Sequence, residues 1–162
     1  MTTISHKLRF DSLQQEAYLG LWRTYDRLKA LEEEMFSAFD LSAQQYNALR
    51  LLQAVHPGTL KTSVIGSKLI SRAPDMTRLL DRLEVRKLIH RARPVENRRA
   101  VEVGITVEGL QLLEQLTPAV SECHQRQFGH VSDEDLRRLV ELLQVVRYPH
   151  EIEGSIWRSD EQ

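Results

Sequence analysis

The fold of this chain is decided by residues 71–99, which read SRAPDMTRLLDRLEVRKLIHRARPVENRR. Apolar side chains in this stretch recur with the i, i+3, i+4 and i+7 spacing that places them on one face of an α-helix. These side chains are Met76, Leu79, Leu80 and Leu83. Two short alternating segments follow around a basic loop, a pattern typical of a β-hairpin. The stretch therefore predicts an amphipathic helix followed directly by a cationic hairpin.

Most charged residues of the same stretch lie away from this apolar face. The helical ones are Arg72, Asp75, Arg78 and Arg82, and those of the hairpin loop are Arg98 and Arg99. Exposed arginines on a helix, next to an arginine-tipped hairpin, suit a polyanion with two grooves. For any one of these arginines, a solvated side chain with no partner is the alternative interpretation.

The charge of the chain is unevenly distributed. The 162 residues have a formal net charge of −1, yet residues 60–103 contain eleven Lys and Arg against five Asp and Glu. The remaining residues contain eleven against eighteen. A segregated basic segment is expected of a surface that meets phosphates. A hydrophobic fraction of 41% at this length suffices for one domain with a sizeable core.

Secreted and membrane-spanning classes are disfavoured by the sequence. The single cysteine excludes an intramolecular disulfide framework, and the N-terminal residues lack the apolar core of a signal peptide. No apolar run approaches the roughly 18 to 20 residues that a membrane span needs. We therefore expect a soluble, cytoplasmic protein with no membrane partner.

No motif for catalysis, a cofactor or a metal is found. The sequence has no phosphate-binding glycine loop, no nucleophile elbow and no paired-histidine metal motif. His124 and His130 lie nearly opposite each other on a helix, so a shared metal is not expected. Cys123 is interpreted as a buried or incidental thiol rather than a redox sensor. We expect neither enzyme activity nor a bound cofactor.

Six helices and one hairpin are predicted along the chain. The first helix covers residues 11–39, more than twice the mean helix length of about 11–12 residues, and packing against a partner helix would explain the excess. Ser42 and Gln45 form a capping-box pattern at the start of the second helix. The third helix is predicted at residues 62–69, with Thr62 or Ser63 as its cap.

The fourth helix is the amphipathic one, predicted to end near residue 87. Pro74 suits its first position, and Asp75 suits its first turn because an acid there favours the positive end of the helix dipole. The hairpin strands are predicted at residues 88–93 and 100–105, with a loop at 94–99. Thr106 and Ser132 are predicted to cap the fifth and sixth helices, and residues 149–162 form a frayed tail.

Three segments together resemble the core signature of MarR-type transcriptional regulators. They are TRLLDRLEVRKLI (77–89), PVENRRAVEV (94–103) and ITVEGLQLLEQL (105–116), within a similarity that extends from about residue 41 to 116. The resemblance implies a mainly α fold with a small β wing. It is a winged helix-turn-helix with long N- and C-terminal dimerisation helices. A single domain of residues 11–148 is then expected, with the winged lobe at about 41–105 and the dimerisation helices at about 11–39 and 106–147.

The same resemblance implies a homodimer that binds a pseudo-palindromic double-stranded DNA operator and regulates transcription, as a repressor. The residues then expected at DNA are Lys61, Thr62, Ser63, Arg72, Asp75, Thr77, Arg78, Arg82, Asn97, Arg98 and Arg99. Those nearest to base edges and flanking phosphates are Arg72, Asp75, Thr77 and Arg78. Arg82 is expected to touch a phosphate or a carboxylate such as Asp81. Residues 61–63 are expected to donate to the DNA backbone.

The hairpin loop departs from the family at one position. The family carries an Asp-x-Arg element in its wing, and the matching residues here are Asn97, Arg98 and Arg99. Asn97 can accept a hydrogen bond but cannot form an ion pair, which changes how the wing is held but not its positive charge. A narrow minor groove attracts such arginines through its negative potential.

Aromatic residues of the first helix suggest a small-molecule effector. Effectors of the family bind between the dimerisation helices and the winged lobe, so Tyr18, Trp22 and Tyr25 are candidate contacts for a small aromatic ligand. Packing in the core or the dimer interface is the alternative interpretation. For the whole chain, the alternative function is a winged-helix protein-interaction module that no longer reads DNA. Salt dependence separates the two, because DNA affinity falls steeply with salt.

Overall fold

The structure is a computed structural model that describes residues 10–71, 75–97, 99–153 and 155–158. Two residues expected at DNA, Arg72 and Arg98, lie outside the described residues, as does Pro74. The mainly helical fold with a small antiparallel sheet confirms the predicted fold class. In chain order its elements are α1 (Leu13–Ser37), α2 (Ala43–Val55), β1 (Leu60–Lys61), α3 (Thr62–Lys68), α4 (Met76–Val85), β2 (Ile89–Ala92), β3 (Glu102–Ile105), α5 (Val107–Phe128), α6 (Asp133–Arg147) and a short 3-10 helix, Tyr148–His150.

The sheet contains one strand that was not predicted. Its order is β1-β3-β2, with both pairings antiparallel. The predicted hairpin is confirmed by the pairing of Ile89 with Ile105 and of Ala92 with Glu102. The additional strand β1 has only two residues, and Leu60 pairs with Val103. A two-residue strand is too short to show an alternating pattern, and β1 ties the start of α3 to the hairpin.

The core lies between the helices of the winged lobe, the sheet and the first part of α5. The largest fully buried side chains are Phe36, Leu49, Leu52, Ile65, Leu80, Leu83, Val103 and Leu116. Three of the four residues predicted to form the apolar face of α4, Leu79, Leu80 and Leu83, are buried. The fourth, Met76, is partly buried against the same core.

Helix caps follow the prediction at three helices and depart from it at two. Ser42 and Gln45 form the capping box of α2, and Thr106 and Ser132 cap α5 and α6 as predicted. Ser12, whose role was not predicted, caps α1. The prediction for α3 is wrong: Lys61 is its N-cap residue and makes no side-chain cap hydrogen bond. Strand β1 runs directly into α3, so the capping position falls one residue earlier.

The start of α4 also differs from the prediction. Asp75 is the N-cap residue rather than part of the first turn, and its Oδ1 accepts a hydrogen bond from the backbone N–H of Arg78 at 2.9 Å. Residue 75 therefore has an extended backbone. A capping carboxylate satisfies one of the unpaired N–H groups at a helix start and favours the positive end of the dipole.

Large apolar side chains remain exposed on two helices and on the tail. Helix α6 contains no buried residue, although its sequence carries an apolar stripe. The exposed residues of α1 are Leu13, Tyr18, Leu19, Leu21, Trp22 and Tyr25, and those of α6 are Leu139, Val140, Leu142, Val145 and Val146. Contiguous exposed apolar surface of this kind marks an interaction surface.

The first part of the tail is folded rather than frayed. The guanidinium of Arg147 lies 5.5 Å from the ring centre of Trp157, and that of Arg158 lies 5.4 Å from the ring centre of Tyr148. Arg147 also pairs with Glu151 at 3.1 Å. These contacts hold the described tail against the end of α6. No helix among the described residues is long and apolar enough to cross a membrane.

We predict that Leu80→Ala destabilises the fold by about 2–5 kcal/mol, because it removes a fully buried side chain from the core. The matched control on the same helix is Val85→Ala, since Val85 is 84% exposed. It should change the free energy of unfolding by no more than about 0.5 kcal/mol. Urea denaturation at one protein concentration measures both. Equal effects of the two substitutions would contradict the assigned orientation of α4.

Candidate nucleic-acid interface

Helix α4 presents a polar face to solvent because its apolar face is buried. Thr77, Arg78 and Arg82 are all exposed, as the helical spacing predicts. Asp75 is exposed as well, but its Oδ1 is already engaged as the helix cap. The N-terminal half of α4 therefore offers a hydroxyl and a guanidinium, two groups that can contact base edges or phosphates.

A groove separates this helix from the hairpin and contains most of the predicted backbone contacts. It has a volume of about 470 Å³. The predicted residues that line it are Lys61, Thr62, Ser63, Thr77 and Arg99, and sequence reasoning missed Arg91 and Arg93, which line it too. The two missed arginines lie at and just beyond the end of β2, where only the antiparallel pairing brings them to the groove.

Arg78 and Arg82 lie at the opposite edge of α4. They line a separate cleft of about 710 Å³ next to the α1–α2 junction, together with Ser42 and Gln45. Arg86, one further turn along, donates to the carbonyl oxygens of Phe39 and Asp40 and anchors α4 to that junction. The predicted site residues are therefore divided into two groups on either side of α4.

Arg91 is bound to two carboxylates of α4. Its Nε donates to Glu84 Oε2 at 2.8 Å and its Nη2 to Asp81 Oδ1 at 2.6 Å, and Nη2 also contacts Glu84. Of the two partners expected for Arg82, a phosphate or a carboxylate such as Asp81, the carboxylate Asp81 is taken by Arg91 instead. The hydrogen bond from Arg91 lowers the pKa of Glu84, and the same contact raises the pKa of Arg91. Arg91 thus links strand β2 to α4, and its charge is largely neutralised within the protein.

The hairpin loop is held by the residue that departs from the family pattern. Asn97 Oδ1 accepts a hydrogen bond from the backbone N–H of Arg99 at 3.2 Å. The carbonyl oxygen of Asn97 accepts from the N–H of Ala100 at 3.0 Å, and its N–H donates to the carbonyl of Pro94. A neutral side chain therefore forms the local turn, and Arg99 beside it is exposed.

The three aromatic residues of α1 do not share one cavity. Tyr18, Trp22 and Tyr25 are 65%, 61% and 60% exposed, and the ring centres of Tyr18 and Trp22 are 6.2 Å apart. Tyr25 lines a cavity that neither Tyr18 nor Trp22 lines. This cavity, of about 530 Å³, lies between α1, α2 and residues 70–71.

The thiol of Cys123 is buried, as the sequence interpretation expected. Burial is the main cause that raises its pKa, and the charge of Glu32 acts in the same direction. A raised pKa disfavours the thiolate, the reactive form of cysteine. Across the described ranges, no three His, Cys, Asp or Glu residues are grouped so that they could hold a metal ion.

Comparison with known proteins identifies the family. The MarR family model matches residues 41–101. The crystal structure of a MarR transcription factor from Planctomyces limnophilus is 57% identical in sequence, with a TM-score of 0.69 over 85% of this chain and 99% of that chain. The chain belongs to the MarR family. It is a transcriptional regulator, and the family consists of regulators rather than enzymes.

More distant relatives agree with this assignment. The HTH-type transcriptional repressor IacR of Pseudomonas putida is 26% identical over 143 residues, which are 87% of this chain and 84% of IacR. E. coli MarR, in a mutant form complexed with operator DNA, is 24% identical and has a TM-score of 0.71 over 84% of this chain and 99% of that chain. Bordetella bronchiseptica BpsR, whose DNA binding is regulated by 6-hydroxynicotinic acid, is 23% identical with a TM-score of 0.73 over 86% and 97% of the two chains. The last two share the fold.

We predict that Glu84→Gln lowers the stability of the fold at neutral pH by removing the charge that pairs with Arg91. Because folding lowers the pKa of Glu84, the ion pair contributes above the ordinary value of 4.5 and is lost as the pH falls through the lowered value. The difference in free energy of unfolding between wild type and variant should therefore shrink as the pH drops below 4.5. Glu96→Gln in the exposed loop is the matched control. A difference that stays constant or grows in acid contradicts the pairing.

Proposed function

We propose that this MarR-family regulator is a repressor that binds a pseudo-palindromic operator as a homodimer and releases it when a small aromatic effector binds. The observation that carries the proposal is the arrangement of α4. The helix exposes Thr77 and Arg78 at its N-terminal end. The cationic groove next to the hairpin lies on one side of it, and the cleft lined by Arg78 and Arg82 lies on the other. A protruding polar helix flanked by cations is the geometry of a helix that enters the major groove.

Contacts in the major groove are assigned to the start of α4. Arg78 can pair with guanine O6 and N7, and Thr77 can contact either a base or a phosphate. Asp75 remains a candidate acceptor for cytosine N4 through the carboxylate oxygen that does not cap the helix. Arg72, just before this helix, is assigned to the same contact set from the sequence alone.

Contacts with the DNA backbone and the minor groove are assigned to the groove and the hairpin loop. Lys61, Thr62 and Ser63 at the start of α3 can donate to phosphates. Arg99 of the loop is assigned to the minor groove, with Asn97 holding the turn that contains it. Arg98 is assigned to the same groove from the sequence alone. Arg93 is added to this set because it lines the same groove and takes no part in the ion pairs of Arg91 with Asp81 and Glu84.

The exposed apolar faces of α1 and α6 support the homodimer. A second copy could cover both faces, and a two-fold dimer places two α4 helices about one helical turn of DNA apart. On this proposal residues 11–148 form one domain, with a winged lobe at about 41–105 and dimerisation helices at about 11–39 and 106–147. A role on DNA implies a cytoplasmic location.

Repression and effector control are supported by relatives. IacR is a transcriptional repressor, and the DNA binding of BpsR is regulated by a small aromatic acid. In this chain, Tyr25 lines a cavity between the dimerisation helix α1 and the lobe, where a bound ligand can act on both. Tyr18 and Trp22 are assigned to the dimer interface, since neither lines that cavity.

We predict that Arg78→Ala and Arg99→Ala each weaken operator binding by about tenfold or more, because each removes a charged contact worth about 1–3 kcal/mol. Fragments enriched from genomic DNA by the wild-type protein supply the operator, and fluorescence anisotropy at several salt concentrations gives the affinity. If Arg99 neutralises one phosphate, its loss also reduces the log–log salt slope by about 0.9.

The matched control is Arg126→Ala, an arginine of α5 that pairs with Glu34 far from α4 in the sequence. It should leave the affinity and the salt slope unchanged. Wild-type affinity in both Arg78→Ala and Arg99→Ala would overturn this DNA surface. A failure of the wild-type protein to enrich any fragment would favour the protein-interaction module instead.

We also predict that Leu142→Glu converts the dimer to a monomer, since it places a charge on the exposed apolar face of α6, where Leu142 is 54% exposed. Sedimentation velocity measures the change. Val95→Glu, the same type of substitution at an exposed position of the hairpin loop, should leave the dimer intact. If Leu142→Glu sediments like the wild type, α6 is not part of the interface.

A further inference from the structure

The cavity between α1 and α2 has a lining that constrains the chemistry of its ligand. Residues spaced along one face of α1 form one wall, namely Tyr25, Lys29, Glu32, Glu33 and Phe36. The opposite wall comes from the start of α2 and from Ile70 and Ser71, which immediately precede the segment leading to α4. Its volume, about 530 Å³, falls within the range of small-molecule sites.

Tyr25 gives the cavity an accessible aromatic side, because this residue is 60% exposed. Phe36 is 1% exposed and packs against Tyr46, with their ring centres 4.8 Å apart, so it supports the wall from within the core. The face of an exposed tyrosine suits a planar ring and attracts a cation.

The charges that line the cavity are dominated by one carboxylate. Lys29 is the single cation among the described lining residues, and its Nζ is already paired with Glu33 at 3.3 Å. Within the described parts of the chain, Glu32 has no hydrogen-bond or ion-pair partner. An unpaired, partly buried carboxylate in a cavity with an exposed aromatic ring is a site for a hydrogen-bond donor or a cation.

From this geometry we infer that the effector of this regulator is an aromatic amine whose protonated nitrogen binds Glu32, with its ring against the exposed face of Tyr25. The inference rests on the proposed regulator function and specifies the ligand of its effector site. An aromatic carboxylate is excluded from the same position, because its charge would face Glu32 while Lys29 remains bound to Glu33.

The environment of Glu32 supports this chemistry. Burial raises the pKa of Glu32, while His124 of the neighbouring helix α5 and Lys29 lower it and Glu33 raises it further. Partial burial therefore removes some of the water that would solvate the charged carboxylate. A ligand cation replaces the missing solvation and stabilises the charged form.

The cavity is also placed to influence DNA binding. Gln44 on α2 donates to Ser71 Oγ at 3.2 Å across the far wall, so this wall links α2 to the segment before α4. A ligand that contacts α1 and residues 70–71 together bridges the first helix and the segment that follows α3. If these two parts take different relative positions in the DNA-bound and free protein, a ligand that binds one arrangement more tightly shifts the equilibrium toward it.

The test uses three probes that share a phenyl ring and differ in charge: phenethylamine, 2-phenylethanol and 3-phenylpropionate. Isothermal titration calorimetry of the full chain, without DNA, gives their affinities. We expect phenethylamine to bind at least about tenfold more tightly than 3-phenylpropionate, as a charge-assisted hydrogen bond implies. Glu32→Gln should remove this preference while leaving the affinity for 2-phenylethanol unchanged.

Two further variants locate the site. Tyr25→Ala should weaken the binding of all three probes, because it removes the wall that they share. The matched control is Glu34→Gln, a carboxylate of the same helix that does not line the cavity, and it should change none of the affinities. The inference is overturned if phenethylamine does not bind, if 3-phenylpropionate binds as tightly, or if Glu32→Gln retains the preference.

Failure of the inference and failure of the proposed function give different results. The calorimetry requires no DNA, so a wild-type protein that binds phenethylamine but enriches no DNA fragment contradicts the regulator function alone. A protein that binds its operator but shows no preference for the amine contradicts the inference alone. Release of the operator by phenethylamine in wild type, and its loss in Glu32→Gln, supports both.

Discussion

The burial of one face of α4 is the constraint on which the candidate interface depends. A ten-residue helix can bury a single face, and here that face is occupied by Leu79, Leu80 and Leu83. The remaining faces meet solvent, where polar side chains are favoured. Thr77 and Arg78 are exposed on these faces, and Asp75 caps the same end of the helix. The packing that forms the core therefore also exposes the groups that we propose to contact DNA.

Two interactions hold the hairpin: one joins it to this helix, and the other holds its loop. Arg91 ties β2 to two carboxylates of α4, so side-chain ion pairs hold the strand against the helix. Asn97 holds the loop through a hydrogen bond rather than an ion pair. Such a bond is insensitive to salt, whereas DNA affinity is strongly salt-dependent. The positive charge of Arg99 is consequently available for a partner outside the protein, while that of Arg91 is not.

Periodic features could be predicted from the sequence, and contacts between distant residues could not. The apolar stripe of α4, the capping box at Ser42 and the hairpin are local patterns, and the structure confirms them. Strand β1 has two residues and no pattern of its own. The pairing of Arg91 with Asp81 and Glu84 depends on where the hairpin returns to the helix, which spacing along the chain does not specify. Tyr25 lines the cavity beside α2 whereas Tyr18 and Trp22 do not, and this difference depends on where α2 packs against α1.

The surface formed by α4 and the hairpin is the one that we assign to DNA. Hydroxyl-radical footprinting of a fragment enriched by the wild-type protein tests this assignment most directly. We predict two protected blocks whose centres lie about one helical turn, or about 10 base pairs, apart, each flanked by further protection from a hairpin loop. A footprint confined to one block, or two blocks without the flanking protection, would contradict the assignment of the two surfaces to DNA.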